Sequence, residues 1–371
     1  MELQLFSSIL TGKIPVEQMS GLHRAGWERV IRRQGGYWSA QFEFMDESRA
    51  TCNDFFYTAL GGHLQETDGG ITTWEGMVSE IDSPAKKDSY WVCAAQAIGY
   101  VHTLSWQKLA GAYVDSATGN GSAWIADMIT NQAPFIVAQN IATNTIQVVR
   151  AGDFNRTPWD EICRVTELGD GGTGIWRFFI SANRTANYQA IDRTTVKYFV
   201  RGGMIRRRSL IEMSNYIYGA YTDSAGTETA LAAATTAQSV AKYGRRETKI
   251  RRQNIPTAAM ESLRDSLLLE DAYPWPKVLG SAGPVDFLDA AQQPVSPWQV
   301  TPGIIRDMSY PVSAGEVGGF LPDRRDTYPD EIVCGPDGAS VRSWMFKEAD
   351  LLATQYDYAA SIQETDYDLR D

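Results

Sequence analysis

The sequence is poor in the residues that most catalytic and metal-binding chemistry requires. It holds only three histidines, His23, His63 and His102, spread far apart. Neither H-E-x-x-H nor H-x-x-x-H occurs, which speaks against a metalloprotease or a zinc deaminase. Isolated histidines of this kind read as surface or packing residues. The four cysteines, Cys52, Cys93, Cys163 and Cys334, stand at long, irregular intervals with no C-x-x-C pair. That spacing argues against a zinc ribbon or a thioredoxin-like motif and favours buried free thiols in a reducing compartment. No apolar run approaches the ~20 residues of a membrane helix. Met1-Glu2-Leu3-Gln4 lacks the basic and apolar regions of a secretory signal, so a soluble chain without membrane anchoring is expected.

Other chemical signatures are missing as well. No G-x-S-x-G nucleophile elbow occurs, and no D-x-[DN]-x-[DN]-G calcium loop. The run Gly169-Asp170-Gly171-Gly172-Thr173-Gly174 is rich in glycine but follows a helix and precedes a strand. A dinucleotide fingerprint needs the reverse order, and a Walker loop needs G-K-[ST]. The run therefore reads as a helix-to-strand connection. Glu80/Asp82 and Asp323/Asp326 have the composition of a glycosidase pair, but among 45 acidic residues any such pair is uninformative. With no nucleophile, metal set or acid–base pair standing out, the chain is not expected to be an enzyme or to carry a cofactor.

What is abundant is aromatic and turn-forming. Eleven Trp and 17 Tyr point to β-rich cores and contact surfaces, since each ring offers a large apolar area with one polar handle. Thirty-two Gly and 15 Pro imply many turns and modest helix content. A length of 371 residues suggests two or three domains. The net charge of −11 opposes non-specific binding to DNA or anionic membranes. It serves solubility, or a surface or channel to which nucleic acid does not adhere.

Strand patterns dominate the first hundred residues. In Tyr37 to Phe44, Trp38, Ala40, Phe42 and Phe44 share one face and Ser39, Gln41 and Glu43 the other. His63–Thr67 and Ile71–Ile81 flank Asp68-Gly69-Gly70, a hairpin signal. Ser89–Ala95 predicts a further strand, while Asp54–Leu60 fits a helix or a strand. In the middle, Ser122 is placed as an N-cap of a short helix. Thr157-Pro158-Trp159-Asp160 is a stronger start, with Thr as N-cap and Pro at the first helical position. Strands follow at 176–180, 195–201 and 214–223. Ser239–Trp275 then predicts a basic turn and strand, followed by a helix with Met260, Leu263 and Leu267 along one stripe. Beyond Pro274 the chain is rich in Pro and Gly, with strand hints at Gln299-Val300 and Glu331–Val333. Five acidic residues and one Arg among the last fifteen predict a solvated tail or a docking peptide. The fold class is thus mainly β with some α, two β-rich halves flanking a mixed middle.

The basic clusters Arg206-Arg207-Arg208, Arg245-Arg246 and Arg251-Arg252 either form local ion pairs or meet acidic patches on other copies of the chain. Arginine suits such interfaces because its planar fork pairs with carboxylates.

Three runs carry a resemblance. G-G-Y-W-S-A-Q-F-E-F (Gly35–Phe44), T-W-E-G-M-V-S-E-I (Thr73–Ile81) and S-V-A-K-Y-G-R-R-E (Ser239–Glu247) together resemble the tail hub or baseplate hub proteins of tailed bacteriophages. The similarity spans roughly residues 25 to 305. It implies two tube-like β-barrel domains, residues 1–108 and 188–305, with a mixed α/β insertion over 109–187 and an extension over 306–371. Trp38, Trp74, Gly76, Tyr243 and Gly244 become fold-defining positions. The resemblance also implies a homotrimeric ring at the tail tip, assembled in the host cytoplasm. Its neighbours would be a distal tail or tail tube protein, a tape measure protein and tail fibre or tip proteins, with transient passage of DNA. A hexameric distal tail or tube-completion protein is the alternative within that class. A carbohydrate-binding adhesin is the alternative outside it.

Overall fold

The computed structural model describes residues 2–6, 22–109, 118–149, 156–170, 175–192, 194–222, 227–253, 256–274, 276–310 and 325–342. Gly171-Gly172-Thr173-Gly174, Asp323, Trp275 and the acidic tail lie outside these residues.

The N-terminal part forms β1 (Glu2–Phe6), β2 (Leu22–Arg32), β3 (Gly35–Asp46), α1 (Arg49–Thr58), β4 (His63–Asp68), β5 (Ile71–Ile81), β6 (Ala85–Lys87) and β7 (Tyr90–Ile98). A 3-10 helix at Tyr100–Ser105 leads into the middle. There the elements are β8 (Thr118–Asn120), α2 (Gly121–Gln132), β9 (Ala138–Ile141), β10 (Gln147–Val149), α3 (Pro158–Leu168), β11 (Trp176–Ser181) and β12 (Thr185–Ala190). Then come β13 (Val196–Arg201), β14 (Met204–Arg207), β15 (Tyr216–Thr222), β16 (Glu228–Ala230), β17 (Ala234–Thr235), α4 (Ala237–Tyr243), β18 (Glu247–Gln253) and α5 (Thr257–Asp271). The chain closes with β19 (Lys277–Ser281), β20 (Asp286–Leu288), β21 (Ile304–Asp307), β22 (Asp326–Thr327), β23 (Glu331–Gly335) and β24 (Gly338–Arg342).

One long sheet joins both ends of the sequence. Its path is β1-β4-β5-β7-β3-β2-β23-β24-β19-β14, with β6, β9, β11 and β12 attached beside it. The joint is the antiparallel pair β2–β23, in which Arg29 to Arg32 face Cys334 to Glu331. The fold is mainly β with helices, as the strand patterns predict. Among the described residues, however, the sheets are open. The path has two ends, β1 and β14, and is not a closed barrel.

Three apolar cores follow from this layout. The first lies on the N-terminal sheet and includes Trp27, Phe42, Phe44, Phe55 and Trp74. The helix α1 covers it, with Phe55 stacked on Phe44 at 4.4 Å between ring centroids. The second fills the space between α2, α3, the 3-10 helix and β11–β12. The third gathers Tyr198, Val200, Phe287, Ile305, Ile332 and Val341. All four cysteines are buried free thiols, as their spacing predicts; burial pushes the Cys93 thiol up to about 12.

Two local differences from the sequence reading have physical causes. The alternation of β3 breaks at its start, where the register with β2 shifts between Val30/Ser39 and Ile31/Tyr37. This bulge turns Tyr37, instead of Trp38, onto the Ala40–Phe42–Phe44 face. Trp38 points into the second core, 4.3 Å from His102 and 6.3 Å from Trp159 by ring centroid. Trp38 therefore links two cores. The second difference concerns Ser239–Tyr243, which lies in the short helix α4 and not in a turn or strand. The strand begins only at Glu247, and β15–β18 form a four-stranded sheet of their own. That sheet packs on the second core through α5 (Ala259, Met260, Leu263) and through Tyr221, Leu231 and Ile250.

The W-x-G motif has a steric basis. Trp74 and Gly76 share one face of β5, and the indole folds over the bare Cα. A Cβ on Gly76 would lie 2.4 Å from the Trp74 ring and 2.4 Å from the Ile98 carbonyl oxygen. Neither can yield, since both are packed in the sheet. Gly76→Ala is therefore expected to cost about 1–3 kcal/mol, the usual range for overpacking. A shifted midpoint in denaturant unfolding at unchanged slope would show it.

Helix α3 starts with the full capping box of Thr157 and Asp160, with Pro158 at the first turn. Helix α2, in contrast, is capped by Asn120, and Ser122 donates its hydroxyl to that cap at 2.6 Å. One turn into α3, Glu161 is buried and accepts from Trp124 Nε1 at 3.1 Å and Arg164 Nε at 2.9 Å. Burial pushes its carboxyl up, but Arg164, Trp124 and Arg156 together outweigh burial and hold it below the usual carboxylate range. A depressed carboxyl contributes stability above the unfolded pKa of about 4.3, and that contribution is lost as pH falls through the folded value. Unfolding midpoints of the wild type are thus expected to fall below pH ~4.3 more steeply than those of Glu161→Gln.

Candidate assembly surfaces and a buried charged junction

The predicted arginines fall into two separate places. Arg206 and Arg207 lie on β14, with Arg208 just beyond it. Arg206 is turned inward: its Nε and Nη2 donate to Asp307 Oδ2 at 3.2 and 3.0 Å, and its guanidinium covers the Tyr310 ring. Arg207 pairs with Glu212 at 2.6 Å and stays half-exposed. Arg208 donates from Nε to the Pro274 carbonyl at 3.1 Å.

The other cluster belongs to the four-stranded sheet. Arg245 stacks on Tyr216, 3.8 Å from the ring centroid, donates to the Tyr218 hydroxyl and pairs with Glu247. Arg246 serves through its backbone. Its N–H donates to Asn215 Oδ1 at 2.8 Å, and its carbonyl accepts from the N–H groups of Asn215 and Tyr216. Arg251 forms an exposed pair with Glu228 at 3.3 Å. Arg252 reaches Glu167 of α3 with Nε at 3.0 Å, tying the small sheet to the middle of the chain.

The Tyr243–Glu247 turn is held by a residue that the sequence reading did not single out. Asn215 is wholly buried and donates to the Gly244 carbonyl at 2.8 Å and to Ser239 Oγ at 3.1 Å. Ser239 in turn donates to the carbonyl of Ala272 at the end of α5. Gly244 has a φ of +76°, which L-residues rarely adopt. Tyr243 packs edge-on against Tyr273. The turn thus fastens α4, β15 and α5 together.

A second unpredicted group is a set of ionisable side chains buried inside the long sheet. Arg29 and Glu66 are both fully buried and lie 3.1 Å apart, Nη1 to Oε2. Arg29 also donates to the carbonyl of Thr73 on β5 and to that of Trp298, more than 200 residues away in sequence. One guanidinium therefore connects β2, β4, β5 and the segment that packs on the third core. Burial pushes the Glu66 carboxyl up, opposed by Arg29 and by Thr73 and Trp27. Alongside, His63 Nδ1 and the Tyr100 hydroxyl are hydrogen-bonded, and Glu75 accepts from the Arg184 backbone N–H. The signal for Arg29 was present in Trp27-Glu28-Arg29-Val30-Ile31, where the arginine occupies an inward position of an alternating strand.

Removing one partner of a buried ion pair leaves an uncompensated charge, a loss of about 3–5 kcal/mol. Arg29→Met is expected to show a loss of that order, growing with pH as Glu66 is forced to ionise. Arg29→Met/Glu66→Gln is expected to recover part of it. Equilibrium unfolding across pH measures both.

The ends of the long sheet form the last feature. Among the described residues, β1 pairs only with β4 and β14 only with β19. Each presents one row of backbone donors and acceptors to the outside. Ile205 on β14 and Leu210 and Ile211 just after it are exposed, Ile211 at 91%. Among the described residues no helix is long and apolar enough to cross a membrane.

No family model matches the chain, and no curated protein does. Solved structures do. Prophage tail protein gp18 from Listeria monocytogenes superposes with a TM-score of 0.57 at 11% identity, covering 96% of this chain and 99% of that one. A tail protein from Neisseria meningitidis gives 0.57 at 8% identity over 92% and 96% of the two chains. The 43 kDa tail protein of prophage MuSo2 from Shewanella oneidensis gives 0.54 at 13% identity over 92% and 97%. The chain shares the fold of these phage tail proteins along nearly its whole length.

Proposed function

We propose that the chain is a structural virion protein, a tail or baseplate hub that forms a ring of three copies at the tip of a bacteriophage tail. The observation that carries this reading is the long sheet, whose two unlike end strands β1 and β14 each have one partner strand among the described residues. A subunit with two different sticky edges associates head to tail, and such contacts close into a ring when the rotation allows. Residues 1–108 and 188–305 serve as two tube-like units and 109–187 as an outer mixed unit. Residues 306–371 are assigned to an extension whose β23–β24 hairpin lies between β2 and β19 in the long sheet. Two tube-like units per chain give a ring of three copies six similar positions, matching a hexameric tube above it. The ring joins the tail tube to tip or fibre proteins, and its acidic balance keeps passing DNA from adhering.

The arginines divide accordingly. Arg207 and Arg208 border the β14 edge, and Arg245 and Arg251 are exposed on the small sheet, where they serve subunit contacts. Arg206, Arg246 and Arg252 hold the subunit itself. Native mass measurement of the purified chain at rising concentration is expected to show three copies; six would favour the distal tail alternative. Ile205→Lys places a charge on the β14 edge, a known defence against edge pairing. It is expected to abolish the ring while changing monomer stability by no more than about 0.5 kcal/mol. Arg245→Glu is expected to weaken the ring with the same preserved fold. A stable monomer of the wild type at all concentrations contradicts the proposal.

A further inference from the structure

A crevice of about 220 Å³ opens where three parts of the molecule meet. Ile31, Arg32, Gly36 and Tyr37 of the first sheet form one wall, Arg177 to Ser181 of β11 the second, and Lys197, Thr301 and Pro302 the third. Its floor is drawn tight by Gly36 (φ +77°), where a Cβ would stand 2.3 Å from the Ile180 carbonyl oxygen. Gly303 performs the same service for Lys197, whose Cδ lies 2.4 Å from where a Cβ would be.

Four cations surround this crevice, and two of them have carboxylates. Arg32 pairs with Glu331 at 2.9 Å and stacks on Trp38, and Arg33 pairs with Asp330 at 2.6 Å. Glu331 is shared further with Arg342 at 3.0 Å. Arg177 and Lys197 have no carboxylate within ion-pair distance among the described residues. Arg177 lies over the Phe179 ring at 4.2 Å and near Tyr328, and its buried Nε finds no hydrogen-bond acceptor. Lys197 donates to the Thr301 hydroxyl and, at 3.5 Å, to the Pro302 carbonyl, both neutral groups. Lys197 is exposed as a residue and lines the crevice. Burial and the nearby Arg177 push that ammonium down to about 8. Arg177 is lowered too, by burial and by Arg33.

Two cations that line one crevice, with no carboxylate among the described residues to neutralise them, favour an anion beside them. We infer that the crevice binds an oxyanion, a phosphate or carboxylate group held between Arg177 and Lys197. The crevice admits a group of this size, the guanidinium supplies a donor fork, and the ammonium supplies a point charge. The anion comes either from solution or from an acidic side chain of a second copy of the chain. This inference stands apart from the ring reading.

Inorganic phosphate titrated into the full-length protein at constant ionic strength, with chloride as the balancing anion, tests it. A saturable rise in unfolding temperature is expected beyond that given by chloride. Arg177→Gln and Lys197→Gln are each expected to weaken the phosphate midpoint at least tenfold. Neither substitution removes an ion pair, so both variants are expected to be as stable as the wild type without phosphate. Lys87→Gln, at an exposed lysine of β6 remote from the crevice lining, is expected to keep the wild-type midpoint. Light scattering during the same titration separates the two sources. A constant mass identifies a dissolved anion, and a mass that falls as phosphate saturates identifies a displaced side chain from a neighbouring copy. The inference is overturned by a wild type that responds to phosphate no more than to chloride. It is equally overturned if Arg177→Gln and Lys197→Gln keep the wild-type midpoint.

Discussion

A single buried guanidinium holds the two halves of the molecule in one sheet. Arg29 stands on β2, pairs with Glu66 on β4, and donates to carbonyls of Thr73 on β5 and of Trp298 beside the third core. Backbone pairing of β2 with β23 brings the far end of the chain to the same strand. An ion pair in an apolar interior is not a strong source of net stability. What it does is tie β2, β4, β5 and the Trp298 segment to one guanidinium. The aromatic packing around it, with Trp27 edge-on to Trp74 at 5.6 Å, then adds affinity to that arrangement.

From this joint the remaining architecture follows. With the two halves fused, the sheet continues from β1 to β14 and ends in two unlike edges. In the middle of the chain, β9, β11 and β12 branch from that sheet through the short parallel pairing of β11 with β3. Trp38, turned by the β3 bulge, fills the space beneath that attachment. The small sheet of β15–β18 sits on the outside of the middle part, fastened by Arg252 to Glu167 and by α5. Among the described residues, the long sheet ends at β1 and β14, with Arg207 on the latter strand.

Local structure was legible wherever period and punctuation agreed. The alternation around Ala40–Phe44, the Asp68-Gly69-Gly70 hairpin and the Thr157 capping box all appear where the residues place them. The β3 bulge was not legible, since one extra residue changes the face of Trp38 without altering the composition. Helix α4 was hidden because seven residues are too few for a helical period to show. The pairing of β2 with β23 joins residues some three hundred positions apart, and no local pattern encodes it. Of the proposed contact residues, the exposed Arg207, Arg245 and Arg251 keep the surface position that such a role needs. Arg206 and Arg252 turned inward because Asp307 and Glu167 offered partners that sequence distance concealed.

The account rests on the two sheet edges being the contact between subunits. Hydrogen exchange of the backbone amides of β1 and β14, compared between the assembled particle and the dissociated chain, tests this most directly. Edge amides of both strands are expected to exchange slowly in the assembly and quickly in the free chain, with interior strands such as β3 unchanged. Equal, fast exchange of β1 and β14 in both states would contradict it.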